Sequence, residues 1–297
     1  MCVGNATVIN GKVYYGGVNS NDDSAQYKVY CYDPSQDKWT TLPPLPVKWF
    51  GLGQVSGKLV AIGGTKKSDG KTCNEVHTYD GRSQKWKQTI PPMLTARHSP
   101  AVLSLQSALV VTGGCTSSGY RTNVVETFKP DTLQWYKIDP LQTQCQSVSL
   151  VTIGNTCYAL GGYERPSSIN QALYASIDDL LCKAVPANQT ANSGSSDTQS
   201  AWKILPNTPT YGPAAAMIAG NLLAIGGKET SKGGADKKEV YTYSPSTNSW
   251  IYISDLPTLR ANTTVAVLSS TEILVIGGWA DGGRVSTVYK GTLYLQL

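Results

Sequence analysis

The chain is short of most residues that do chemistry. It has two histidines, His77 and His98, among 297 residues, and a copper or zinc site ordinarily draws several nitrogen or sulfur ligands. No GxSxG or equivalent signature is present, which leaves hydrolysis without a nucleophile and its base. The seven cysteines are odd in number and none stands in a CxxC pair, so neither a zinc ribbon nor a secreted disulfide framework is indicated. Cys31, Cys115 and Cys157 fall in or beside expected strands and read as small buried hydrophobes; a reducing, cytoplasmic setting fits them. No apolar run approaches the roughly 18–20 residues that span a bilayer. The opening MCVGN lacks the charged start and apolar run of a signal peptide. Charge is sparse too: 15% of residues are charged and the formal net charge is +5. No basic block exceeds Lys66-Lys67 and Lys237-Lys238, so neither a nucleic acid nor a membrane is expected as partner. The acidic pairs Asp22-Asp23 and Asp178-Asp179 stand in expected loops and read as solvated turns, not catalytic dyads. No metal and no cofactor is expected.

What is abundant is valine, threonine and tyrosine, with 17 tyrosines against two phenylalanines, a mix that favours strands. Six times a run of such residues ends in two glycines, at Gly16-Gly17, Gly63-Gly64, Gly113-Gly114, Gly161-Gly162, Gly226-Gly227 and Gly277-Gly278. Successive pairs are 47, 50, 48, 65 and 51 residues apart. A period in this range marks an array of one supersecondary unit.

The second unit shows the grammar best. GLGQVSG (51–57) is an expected strand ending in a turn, KLVAIGG (58–64) a second, EVHTYD (75–80) a third, and KWKQTIPPM (85–93) a fourth closed by prolines. Such spacing of strands and turn residues indicates a four-stranded antiparallel sheet. Elsewhere Tyr32 precedes Trp39, Phe128 precedes Trp135 and Tyr243 precedes Trp250, as Tyr79 precedes Trp86. Glycine at the end of the second strand lets the backbone pass close to a neighbour, and the rings fill the space between units. One sheet alone cannot bury both faces, so the units stack in a ring.

A hydrophobic run, a double glycine, then tyrosine and tryptophan at set distances: these residues resemble the kelch repeat over nearly the whole chain. The resemblance implies one all-β domain over 1–297, a six-bladed β-propeller of four-stranded antiparallel blades at about 1–46, 47–95, 96–142, 143–208, 209–258 and 259–297. It also implies a protein-interaction module rather than an enzyme, of the kind that kelch-like adaptors of ubiquitin ligases carry beside an N-terminal dimerisation module not seen here. Copper-dependent kelch enzymes need more histidine than this chain has. The repeated SxDxGxTW turns of sialidase-like propellers have one passing likeness, SSDTQSAW at 195–202.

Two repeats depart from the pattern. The fourth carries a polar insertion, 182–200, expected as a mobile surface loop before Trp202. The sixth has three expected strands and no tryptophan strand; either TLYLQL (292–297) doubles back, or the missing strand lies upstream in a longer polypeptide, which is the favoured expectation. Self-association through such an incomplete blade is an alternative role.

In the family's peptide binders the ligand sits on the face formed by the loops after the double glycines and the loops between blades. The former offer Lys66, Lys67, Tyr120, Arg121, Tyr163, Arg165, Lys228 and Arg284; the latter Lys48, Arg97, His98, Tyr211 and Arg260. Trp49 and Trp279 are surplus to the repeat and fall in the same two loop sets, where aromatics anchor partners. The set points to an acidic peptide or loop as ligand, with affinity falling on Arg97→Ala or Arg260→Ala.

Overall fold

A computed structural model describes residues 4–16, 22–164, 166–182, 185–186 and 200–293. The strands assemble into six radial antiparallel sheets, and the chain is a six-bladed β-propeller. Blade 2 runs Gly51–Val55, Lys58–Lys66, Thr72–Asp80, Lys85–Lys87 from axis to rim. Blade 1 (Asn5–Ile9, Lys12–Gly16, Val29–Asp33, Lys38–Thr41) and blade 5 (Ala214–Ile218, Asn221–Thr230, Gly233–Ser244, Ser249–Asp255) repeat that order. Blade 3 begins Ala101–Ser104, Leu109–Thr112, Val125–Lys129, Gln134–Ile138, and blade 4 is Ser149–Ile153, Thr156–Leu160, Ala172–Ser176, Lys203–Leu205. The sheet of blade 6 has three described strands, Thr264–Val267, Glu272–Ile276 and Val288–Thr292, and the loop between the last two forms a short hairpin of Trp279–Ala280 and Gly283–Arg284.

The first strands touch one another in sequence around the axis, and the first meets the last. There Thr264 Oγ1 donates to the Gly4 carbonyl at 2.6 Å. The core is divided accordingly into clusters drawn from neighbouring blades. Val60, Ile62 and Val76 of blade 2 pack on Leu109, Val111, Phe128 and Trp135 of blade 3, while Val13 of blade 1 packs on Ala266, Leu274 and Ile276 of blade 6. Every blade therefore depends on both neighbours for its apolar burial, the dominant favourable term in folding.

The double glycines are where that stacking is tightest. Gly63 and Gly64 have φ of +63° and +110°, backbone that side chains rarely adopt. A Cβ on Gly63 would lie 2.3 Å from the carbonyl of Arg97 in the loop leaving the blade, and one on Gly64 2.6 Å from that of Lys48 in the loop entering it. The pair is a wedge between two loops.

The rim tryptophans lock each blade to the one before. Trp86 Nε1 donates to the Pro43 carbonyl (2.8 Å), Trp135 to Pro91 (2.8 Å), Trp202 to Asp139 (3.0 Å) and Trp250 to Pro206 (2.9 Å). Two expectations need correction here. The fourth strand of blade 2 stops at Lys87, short of Pro91 and Pro92, which have no N–H to give a ladder; Met93 N donates to the Asn74 carbonyl. The insertion in repeat four is partly ordered: after the helix Ile177–Cys182, Val185–Pro186 adds a fifth strand to the rim of blade 3, pairing with Lys137 and Tyr136. The rest of it, through 199, lies outside the described residues. So do 294–297, and with them most of TLYLQL (292–297), one of the two sources expected for a fourth strand of blade 6; Thr292 ends the third strand.

Candidate functional site: the loop face

Antiparallel order puts the end of each second strand beside the start of each first strand, so post-glycine and interblade loops meet at one end of the ring. They are held there by a repeated backbone pairing. His98 pairs with Cys115, Gln146 with Tyr163, Tyr211 with Lys228 and Ala261 with Trp279, as Lys48 pairs with Thr65. Cys115 also pairs with Arg121, and Thr122 with Cys145, which makes the face of blades 2 to 4 one continuous band. The residue after each interblade partner is left-handed: Trp49 (φ +57°), Ser99 (+53°), Ser147 (+57°), Gly212 (+60°) and Asn262 (+49°). Small or polar residues suit that conformation, and a tryptophan is an outlier there.

On this band the side chains form an arc of rings and cations. The Lys48 and Lys67 ammonium groups lie 5.8 and 5.3 Å from the ring centre of Tyr27, and Lys48 lies 4.7 Å from that of Trp49. The Trp49 and His98 rings are 5.3 Å apart, and His98 Nδ1 is 3.0 Å from Ser99 Oγ. The Arg121 guanidinium covers the Tyr163 ring at 5.4 Å. Such stacking holds charge at a wet surface without neutralising it. Trp49 Nε1 is buried with no hydrogen-bond partner among the described residues. Burial, with Arg121 nearby, pulls the His98 pKa down to about 4, so the ring is neutral at pH 7. Tyr27 was not singled out from the sequence; its only signal was its place after the first double glycine.

The other expected residues fare differently. Arg97 and Arg260 are 0% and 2% exposed and cannot meet a ligand as they stand, which corrects their assignment to the binding face. Arg97 bonds Glu126 through Nη2 (2.5 Å) and the carbonyls of Gly113 and Val124 through Nη1; it bolts blade 2 to blade 3. Arg260 bonds Thr258 and the Leu259 carbonyl and covers the Tyr289 ring at 4.9 Å. Lys66 is held by Glu75 (2.5 Å) and Lys228 by Asp236 (2.5 Å), so both are partly neutralised. Glu75 is also 3.3 Å from His77, whose burial lowers its pKa. Tyr120 is 74% exposed, Tyr211 is half-buried, and Arg165 lies outside the described residues. Trp279 sits on blade 6 under the Arg284 guanidinium, 5.4 Å away. Five cysteines, Cys31, Cys73, Cys115, Cys145 and Cys157, are free and buried. Among the described residues no three His, Cys, Asp or Glu side chains group to hold a metal ion, and no helix is long and apolar enough to cross a membrane.

At the axis, the inner strands enclose a narrow cavity of about 90 Å³. Ser99, Ser147 and Ser149 give it hydroxyls, and Ser147 Oγ is buried without a partner among the described residues.

Comparison with known proteins agrees with this architecture. Residues 51–208 match the KLHDC2/KLHL20/DRC7 Kelch-repeats domain, and residues 5–46 the Kelch motif. Kelch-like protein 40 of Xenopus tropicalis is 32% identical over 136 residues, 46% of this chain and 22% of that protein. Kelch-like protein 25 of Homo sapiens is 24% identical over 253 residues, 82% of this chain and 39% of that protein. The chain thus spans well under half the length of these curated relatives. The solved structure of YjhT superposes with a TM-score of 0.75 over 97% of this chain and 94% of that one, at 17% identity, a likeness of fold alone. With a family match over more than half its length, the chain belongs to the kelch-repeat family.

Proposed function

We propose that this propeller is a non-catalytic protein-interaction module that binds a short acidic peptide or loop on its double-glycine face. The observation that carries the reading is the arc from Lys67 through Tyr27, Lys48, Trp49, His98 and Arg121 to Tyr163. Its guanidinium and ammonium groups rest on rings. Lys48 has one exposed acidic neighbour, Asp23 at 3.4 Å; Lys67 and Arg121 have no ion-pair partner among the described residues. Cations so placed favour carboxylates by charge-assisted hydrogen bonds, and the half-buried Trp49 offers an anchor. With Arg97 and Arg260 committed to the interior, the acidic preference rests on Arg121, Lys48 and Lys67.

The test is fluorescence anisotropy with a labelled panel of acidic, neutral and basic ten-residue peptides. Acidic members are expected to bind most tightly, with affinity falling as salt rises. Arg121→Glu is expected to weaken them tenfold or more, in line with roughly 1.5–3 kcal/mol for a hydrogen bond to a charged group. Equal binding of basic and acidic members would overturn the reading.

A further inference from the structure

The outermost strands of the blades are guarded unequally. An open strand edge is a template for another chain, and proteins blunt it with lysine or by keeping the strand short. The rim strands Lys38–Thr41, Lys85–Lys87, Gln134–Ile138 and Lys203–Leu205 follow that practice. They are three to five residues long, and each carries exposed lysine: Lys38, Lys85 with Lys87, Lys137 and Lys203. Blade 5 departs on both counts. Its rim strand, Ser249–Asp255, runs seven residues as SWIYISD, with no lysine and no glycine or proline, the composition of a segment prone to pair. Its single charge, Asp255, is already paired with Lys238 of the neighbouring strand at 2.9 Å. Ile251, Tyr252 and Ile253 are 46%, 54% and 38% exposed.

The exposure of Ile251 is not owed to a neighbouring blade. Ile251 stands directly after the rim tryptophan, as do Thr40, Lys87 and Lys203. Those three are exposed as well, although a blade of four strands follows each. The next blade therefore leaves this position to solvent, and blades 1, 2 and 4 fill it with a polar or charged residue. Blade 3 has an aromatic residue there, Tyr136, and its rim is the one that is covered: Val185–Pro186 pairs with Tyr136 and Lys137. Blade 5 has the apolar residue and, among the described residues, no strand beyond it.

We propose that the outer edge of Ser249–Asp255 pairs antiparallel with the same edge of a second copy of the chain. The strand is its own complement. With Ile251 on the two-fold axis, Ile251 faces Ile251, Trp250 faces Tyr252 and Ser249 faces Ile253 of the other copy, which brings β-branched and aromatic residues into cross-strand pairs. Further out, Asp255 falls opposite Thr247, whose hydroxyl can donate to it, and no like charges meet. The same operation on blade 2 fails, because pairing about Trp86 sets Lys85 opposite Lys87 twice over. Ser249–Tyr252 is in unbroken register with Tyr241–Ser244, and the irregularity that leaves Ile253 unpaired begins only beyond Tyr252. The added strand therefore meets a regular ladder before the extra twist of the bulge. Each chain has this edge once, and a two-fold pairing consumes it in both, so association stops at two copies.

The test is sedimentation velocity on the full chain, where a monomer–dimer equilibrium is expected across the micromolar range. Ile251→Lys sets two like charges face to face and should weaken the dimer tenfold or more, and Ile251→Glu should do the same. Mixed in equal amounts, the two variants should dimerise again, because only a residue that faces itself turns two repulsive variants into an attractive pair. That rescue also shows that neither variant has merely misfolded. Thr40→Lys, at the same place on blade 1, should leave the dimer unchanged. A monomer at every concentration would overturn the proposal and leave the edge to a different protein. A dimer that survives both charged variants, or a mixture that stays monomeric, would overturn it too, and growth beyond two copies would rule out the two-fold pairing.

Discussion

Arg97 and Arg260 occupy the same place in the repeat, each with its carbonyl bonded to the second residue of a double glycine, yet their side chains have different surroundings. Arg97 is paired with Glu126, and both are 0% exposed. Arg260 has a tyrosine ring where Arg97 has that carboxylate, and its Nε lacks a partner among the described residues. Removing one member of a buried pair strands the other charge, at about 3–5 kcal/mol. Arg97→Met is therefore expected to cost about that much in urea denaturation. Arg260→Met removes a buried guanidinium with no acid to strand, and is expected to change stability by about 1 kcal/mol or less in either direction. Neither arginine could be sorted from the sequence. Both read as loop cations because the carboxylate that decides the matter, Glu126, is 29 residues from Arg97 and alternates within a strand like any other. The glycine pairs, by contrast, were legible because their constraint is local. Gly226, at φ +61° and with its Cβ position 2.3 Å from the Arg260 carbonyl, admits no side chain. Gly226→Ala is expected to cost at least the 1–3 kcal/mol of a strained backbone, readable as a lowered denaturation midpoint at unchanged slope.

Strands and loops were legible to different depths. The blades announced themselves through apolar runs, turns and rings repeated at one period, and each blade needs only its neighbours to fold. The loop face was legible only through the family resemblance, which pointed to Trp49, His98, Arg121 and Tyr163; how their four loops join was not, because the band is built from backbone pairings between loops with no pattern of their own. The rim tryptophans were legible as a series, but their hydrogen bonds were not. Those bonds give an expected contrast: Trp135→Phe loses the bond to Pro91 along with indole packing and should cost 1 kcal/mol or more, whereas Trp39→Phe, without an acceptor, should fall within about 0.5 kcal/mol. On the loop face, His98 ties the band to pH. Its folded pKa of about 4 lies below the ordinary 6.5, so between those values the unfolded chain binds the proton and the folded one does not. Stability owed to this residue is whole above pH 6.5 and is lost as pH falls toward 4. His98→Gln should flatten that slope in denaturation midpoints taken from pH 7.5 to 4.5. An acidic peptide docked against His98 would raise its pKa, so binding should take up a proton and tighten from pH 7.5 to 5.5, and the same variant should remove the gain.

At the scale of the ring, six blades in a circle have six junctions, and a circle is as strong as its weakest. Four junctions are locked at the rim by a tryptophan bond. The two junctions of blade 6, with blade 5 and with blade 1, have none among the described residues; the second rests on Val13 against Ala266, Leu274 and Ile276 near the axis and on Thr264 donating to Gly4. Stability in such a stack is approximately a sum of units and neighbouring interfaces, so local opening should begin where an interface is poorest. Amides of Val288–Thr292 are expected to exchange faster than those of Val125–Lys129, the corresponding strand of blade 3, which has a rim strand and a further one beyond it. Thr264→Ala removes the closing hydrogen bond, worth about 1 kcal/mol. Its effect should be confined to blades 1 and 6, raising exchange in Lys12–Gly16 and Glu272–Ile276 while leaving Leu109–Thr112 protected. Uniform acceleration around the ring would mean instead that the propeller opens as one cooperative body, with no weak junction to begin from.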